Sequence, residues 1–216
     1  MSEPTAEQHH AALVHELAFW RQQVRRPEFT GQQEKNWRVT AEHFEAALGV
    51  YVPRPTRAVL QVGVAVRDSI NFMAPGPLRV AVDPLADAYR AEFKLPAFGA
   101  LLLSAIGEAL PFPAESVDGV ICMNALDHCW RPFDVIGEFY RVLRVGGLLF
   151  LGVDVFPPNQ AEGSVDEIHF WKFSAERLRM WIRNGGLTLR EEREMESGEH
   201  DGASWYWLKA TKGLFP

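Results

Sequence analysis

Cysteine is scarce in this chain: two thiols, Cys122 and Cys129, among 216 residues. Neither has metal-ligand spacing, and together they read as reduced thiols of a cytoplasmic protein rather than a disulfide framework. Long apolar runs are missing as well. The longest, such as Ala100 to Ile106, fall far short of a bilayer span. The opening MSEPTAEQHH has no apolar segment of the kind a signal peptide needs. No basic run is long enough to track a phosphate backbone, and the formal net charge is −6, so neither nucleic acid nor a membrane is an expected partner. The densest charge cluster, Arg190 to Glu196, alternates in sign and reads as a solvated strand face. Repeats and low-complexity segments are absent.

What is present is core. Hydrophobic residues make up 47% of the chain, enough for one well-filled α/β unit. The organising stretch is Ala58 to Asp83. Ala58-Val59-Leu60-Gln61-Val62 reads as a buried strand ending at Gly63 in a tight loop. A short helix follows, with Asp68 as its N-cap, and then a second strand ending in Asp83. Strand, glycine turn, helix, strand and acid is the plan of a nucleotide-binding half, the acid being placed to accept from ribose hydroxyls. Of the usual loop glycines only Gly63 is there; Ala65 and Asp68 stand at the next two positions. A carboxylate at a helix start disfavours a pyrophosphate, so a ligand with ribose and adenine but no phosphate is the better fit.

Ahead of this stretch, residues 1–54 read as a helical segment packing on or capping the core, Ala11, Ala12, Leu13, Leu17, Phe19 and Trp20 roughly following a helical period. Pro27 and Gly31 break the pattern, and a second helix spans about Gln33 to Leu48, stopped by Gly49. Residues 55–216 form the α/β unit. After Asp83 come a helix over Leu85 to Phe93 and strands over Ala100 to Ala105 and Ser116 to Met123. An amphipathic helix over Pro132 to Leu143, a Gly146-Gly147 turn and a strand over Leu148 to Val153 follow. A long loop, Asp154 to Phe173, leads to a helix capped by Ser174 and ended by Gly185-Gly186. Two closing strands, Leu187 to Glu194 and Trp205 to Lys212, form an antiparallel hairpin. The expected fold is a Rossmann-like, doubly wound α/β architecture with N-terminal helices. Its seven-stranded sheet is mainly parallel with an antiparallel C-terminal hairpin.

Several short motifs fall in one order. They are Leu110-Pro111-Phe112-Pro113 before Ser116-Val117-Asp118; Asn124-Ala125-Leu126-Asp127-His128; Tyr140 to Gly147 (YRVLRVGG); and His169 to Phe173 before the last helix. With Asp83-Pro84 at the end of the second strand, they resemble the class I S-adenosylmethionine-dependent methyltransferases, in particular the type 11 small-molecule group. The resemblance covers roughly residues 55–212. It implies S-adenosylmethionine as cofactor and a small-molecule acceptor. It also implies a cofactor site at Gln61, Gly63, Ala65, Asp83, Pro84, Ile106, Gly107 and Asn124. The family's first loop usually reads D/E-x-G-x-G-x-G; here Gln61, Gly63, Ala65 and Arg67 occupy those places, and Ile106 stands where the family often has an adenine-contacting Asp.

His128 and His169 are the candidate catalytic bases, each also readable as a packing or anchoring residue. Trp20, Trp37, Tyr51, Phe156, Phe170 and Trp171 are candidate substrate-lid aromatics, or simply pack helices onto the sheet. Asp154, Asp166, Glu167 and His169 have no diagnostic metal spacing, and no metal is expected. Three functions are open to such a chain: methyl transfer to a small molecule; a non-catalytic relative acting as a binding or partner module; and, disfavoured by Asp68 and the missing glycines, a nicotinamide-dependent oxidoreductase. The acceptor is not legible, and a homo-oligomer is neither required nor excluded.

Overall fold

A computed structural model describes residues 3–64, 66, 68–93, 99–196 and 200–213, without the side chains of 27–30. Ala65 and Arg67 lie outside the described residues. Two helices come first. α1 (Ala6–Gln23) starts from a capping box in which Gln8 N donates to Thr5 Oγ1 (3.2 Å) and Thr5 N to Gln8 Oε1 (2.8 Å). α2 (Pro27–Tyr51) is longer than expected and runs through both Gly31 and Gly49. Pro27 sits in its first turn, where a missing N–H costs nothing, and an interior glycine costs only about 1 kcal/mol, less than the packing of this helix returns.

The sheet contains β1 (Ala58–Val62), β2 (Leu78–Asp83), β3 (Leu101–Ser104), β4 (Val117–Met123), β5 (Leu143–Val155), β6 (Leu187–Met195) and β7 (Ser204–Lys212). Its order is β3-β2-β1-β4-β5-β7-β6. The first five strands are parallel, and β7 pairs antiparallel with both β5 and β6. This is the Rossmann-like arrangement expected from the alternation of strands and helices. The segment after Gly63 is shorter than expected, a single 3₁₀ turn over Ser69–Phe72 with Asp68 as its cap. Gly146-Gly147 is not a turn between elements: β5 already starts at Leu143, and its pairing with β4 shifts register between Val117 and Gly119. An irregular pairing of this kind lets the strand continue where a sequence reading sees a break.

Alternation along the strands divides the core in two. Leu60, Val62, Val80, Val82, Val120 and Cys122 face the helices Pro132–Val142 and Ala175–Asn184. Val59, Ala81, Ile121, Leu148 and Phe150 face α2 and the 3₁₀ turn. α2 comes very close to the sheet at Gly119, where an added Cβ would lie 2.7 Å from Phe44 Cζ. Phe44 is fully buried there and stacks on Phe150 at 6.3 Å.

At the opposite end of the strands from the loops that follow β1 and β4, Asp118 ties the segment before β1 and the start of β5 to β4. Its fully buried carboxylate accepts from Arg57 N (2.8 Å), Ala58 N (3.2 Å), Arg54 Nε (3.1 Å) and Arg144 Nη1 (2.9 Å). Burial alone works against ionisation. The amide of Arg57 and the Arg144 guanidinium, with Ala58 N and Arg54, outweigh it and hold this carboxyl below its ordinary range.

Candidate cofactor and acceptor site

β1 has β2 on one side and β4 on the other, so the chain reverses its winding direction there. In open α/β sheets the crevice beyond the carboxyl ends of the strands at such a point is where ligands sit. Gly63 begins the crevice with φ +72, and its N–H donates to Val82 O at 3.0 Å. A Cβ at this position would lie 2.2 Å from the Ala125 Cβ, so only glycine fits both the backbone angle and the approach of the loop after β4.

Asp83 closes β2. Its Oδ2 accepts from Val64 N (3.0 Å) and its Oδ1 from Leu85 N (2.8 Å), which fixes the carboxylate against the glycine loop. Each oxygen keeps one lone-pair position for another donor. Burial raises this group to about 7, the two backbone hydrogen bonds opposing the rise and the negative charges of Glu16 and Asp68 adding to it. Asp68, also buried, is raised to about 6 by burial, against hydrogen bonds from Gln61 and Ser69. Gln61 points to the α2 face, where its Oε1 accepts from Ile70 N at 2.9 Å. The amide standing where the family has an acid therefore braces the 3₁₀ turn.

These shifts carry a pH dependence with a definite sign. The folded chain holds the Asp83 proton up to about 7, whereas an ordinary aspartate releases it near 3.8. Between those values the native state binds more protons than the unfolded one. Stability therefore falls as pH rises through that window, by at most about 1.4 kcal/mol per pH unit for this residue, and levels off above it. Asp68 adds to the same slope over its lower part. Urea unfolding at pH 5 and 7.5 should show a smaller loss in Asp83→Asn than in the parent chain. Equal losses would mean that Asp83 titrates normally.

The other expected cofactor residues lie around the same crevice. Pro84 follows Asp83, Ile106-Gly107 follow β3, and Asn124 follows β4. Asn124 has a left-handed backbone (φ +48), and its N–H donates to Gly152 O at 2.8 Å. Ile106 is partly exposed and offers an apolar surface just beyond β3.

Over the crevice lies α1, which buries only Ala12 and Gln23. Polar and ring contacts along its length hold it. Arg21 Nε donates to Glu92 Oε2 at 2.6 Å, His15 pairs with Glu167 at 2.9 Å, and His9 stacks on Trp130 at 5.7 Å. Trp20 lies on this helix, its Nε1 donating to Glu16 Oε1 at 2.6 Å. Phe170 and Trp171 come from the long loop: Phe170 N donates to Asp127 O (2.9 Å) and Trp171 Nε1 to Cys129 O (2.8 Å). An open cleft of about 570 Å³ runs between the start of α1 and this loop, lined in part by Gln8, His15, Asp166 and Trp171.

The remaining expected aromatics lie apart from this group. Trp37 stacks on Phe72 between α2 and the 3₁₀ turn, at 6.3 Å. Tyr51 ends α2 and hydrogen-bonds Glu191 on the edge strand β6. Phe156 is buried after β5, with Lys172 Nζ 5.1 Å from its ring centre.

The two expected histidines meet. The rings of His128 and His169 are 4.3 Å apart, and a third ring, His200, is 4.5 Å from His169. His169 Nδ1 lies 2.9 Å from Asp166 and His200 Nδ1 2.9 Å from Asp154, while His128 Nδ1 is 3.7 Å from Glu16 on α1. His200 and Glu16 escape a sequence reading because neither sits in a motif; Asp127 lies within one without showing its role. Burial pushes the thiols of Cys122 and Cys129 up, so neither is a ready nucleophile.

Residues 78–151 match the family model described as methyltransferase domain, of the type 11 group. No curated protein sequence matches the chain. Among solved structures, Burkholderia thailandensis 1,6-didemethyltoxoflavin-N1-methyltransferase, with bound 1,6-didemethyltoxoflavin and S-adenosylhomocysteine, is 18% identical. Its TM-score is 0.68, over 99% of this chain and 93% of that one. The [4+2]-cyclase SpnF is 15% identical, TM-score 0.64, over 81% of each chain. Geranyl diphosphate methyltransferase, in complex with GPP and sinefungin, is 12% identical, TM-score 0.63, over 81% of this chain and 77% of that one. The chain thus has a Rossmann-like methyltransferase fold, and its residues 78–151 match the methyltransferase-domain family model.

Proposed function

We propose that the protein transfers a methyl group from S-adenosylmethionine to a small-molecule acceptor. The observation that carries this reading is Asp83, anchored by Val64 N and Leu85 N beside the Gly63 turn, with acceptor capacity left over for ribose hydroxyls. The charge of the crevice supports the same cofactor. Glu16 and the carboxyls of Asp68 and Asp83, which ionise as pH rises past about 6 and about 7, line it; this suits a ligand carrying an ammonium and a sulfonium and opposes a dinucleotide pyrophosphate. When bound, the cofactor supplies an electrophilic methyl group whose carbon–sulfur bond breaks as the acceptor's lone pair bonds to carbon. The chain's part is to hold the two in line and keep bulk water out. Gly63 lets the loop approach closely, Gln61 braces it, and Ile106-Gly107 and Asn124 border the rest of the ligand. Trp20, Phe170 and Trp171 give the acceptor an apolar wall under α1. His128 or His169 is placed to take the proton of an oxygen or nitrogen acceptor through a ring nitrogen that no metal ion occupies.

A small molecule as acceptor is supported by two neighbours, one with bound 1,6-didemethyltoxoflavin and one a geranyl diphosphate methyltransferase in complex with GPP. Among the described residues no helix is long and apolar enough to cross a membrane. A second reading, a non-catalytic binding module, is favoured by Gln61: its side-chain carbonyl accepts from Ile70 N in the 3₁₀ turn of this same chain, where it is not left for a ligand. Calorimetric titration with S-adenosylmethionine and S-adenosylhomocysteine separates the two. Micromolar binding of both supports the enzyme and is followed by an acceptor screen; a folded chain that binds neither overturns it in favour of the second.

A further inference from the structure

We propose that Asp127, His128 and His169 bind a divalent transition-metal ion beside the crevice. The three come from the 3₁₀ turn after β4 (Leu126–His128) and from the loop after β5. One ligand atom from each lies within 4.8 Å of the other two. Bonds of about 2.0–2.2 Å from nitrogen and carboxylate oxygen to a zinc-like ion require donors roughly 3.3 Å apart, a separation that small side-chain rotations reach. Two imidazoles and one carboxylate suit zinc, iron(II) or manganese and leave coordination positions open.

Two further observations point to a cation. Asp127 is 2% exposed, and its Oδ1 is buried with no hydrogen-bond partner among the described residues. A buried carboxylate oxygen left in that state is costly, and a metal ion satisfies it. His169 has the outer-shell arrangement typical of metal-bound histidine: Asp166 on Nδ1 at 2.9 Å fixes the tautomer and leaves the other ring nitrogen as a lone-pair donor. Asp166 itself also accepts from the backbone N–H groups of Ile168 and His169, which makes it a support rather than a ligand. His200, held the same way by Asp154, packs edge-on against His169 and offers a second carboxylate-backed ring to the same cluster.

The test needs no activity and stands whether or not the methyl-transfer reading holds. The full chain, stripped with EDTA, is titrated with zinc chloride by calorimetry, and cobalt(II) absorption reports the ligand field. One equivalent should bind at micromolar affinity or tighter. His169→Ala and Asp127→Asn, each shown to be folded by circular dichroism, should weaken binding at least tenfold and change the cobalt spectrum. His10→Ala, on the exposed start of α1, should leave both unchanged. Zinc binding that survives His169→Ala and Asp127→Asn, or that disappears with His10→Ala, overturns the proposal, as does a parent chain that binds no zinc.

Discussion

Asp83→Ala should lower the affinity for S-adenosylmethionine at least 100-fold in a chain that still folds. A hydrogen bond to a charged group contributes about 1.5–3 kcal/mol, and the remaining positions on this carboxylate can serve both ribose hydroxyls. Losing both makes 100-fold a lower bound, since about 1.4 kcal/mol is a factor of ten. Part of the effect comes through the loop, because Val64 N and Leu85 N lose their acceptors. Asp83→Asn separates the contributions. It keeps an acceptor of the same shape and loses the charge, so binding should weaken less and lose its pH dependence. In the parent chain, hydroxyl donors favour the ionised carboxylate, and the group titrates at about 7 without ligand. Affinity should therefore rise between pH 6 and 8 with proton release, readable from the buffer dependence of the binding enthalpy. Parent-like affinity in Asp83→Ala would remove the residue from the site.

Asp118→Ala should cost about 3–5 kcal/mol of folding stability, the range for breaking a buried charge pair by removing one partner. Two guanidiniums and two backbone amides converge on this carboxylate, and alanine leaves all of them short of an acceptor. For a chain of this size 1 kcal/mol is about 2–4 °C in Tm, so a fall of roughly 6–20 °C is expected by calorimetry. Asp118→Asn should lie in between, since its NH₂ would face donors on one side. A change of less than 1 kcal/mol would show that water replaces the carboxylate without loss. Cofactor binding at temperatures where Asp118→Ala is folded should be unaffected, because Asp118 lies at the opposite end of the strands from Gly63 and Asp83.

Asp118 also shows how a motif is legible without its meaning. Ser116-Val117-Asp118 marks the fold in the sequence, but the donors that Asp118 gathers come from residues 54, 57, 58 and 144. Only closure of the sheet brings them together. The order of strands and helices was readable because period-two and helical patterns are local properties of the chain. Where that reading fell short, the reason was equally specific. Pro27 and Gly31 are breakers in isolation, yet Pro27 suits a first helical turn and the buried face of α2, with Phe44 at Gly119, outweighs the glycine.

By itself, then, the sequence determined the alternation of strands and helices, the single-glycine turn at Gly63 and the acid at the end of β2, since each depends on neighbours a few residues away. Tertiary structure decided the rest. It set Gln61 under the 3₁₀ turn, raised Asp83 by burying it near Asp68 and Glu16, and laid α1 across the crevice. It also gathered His128, His169 and His200 from three distant segments into one cluster. Burial, charge–charge distance and ligand convergence are properties of the packed chain, and no spacing along the sequence encodes them.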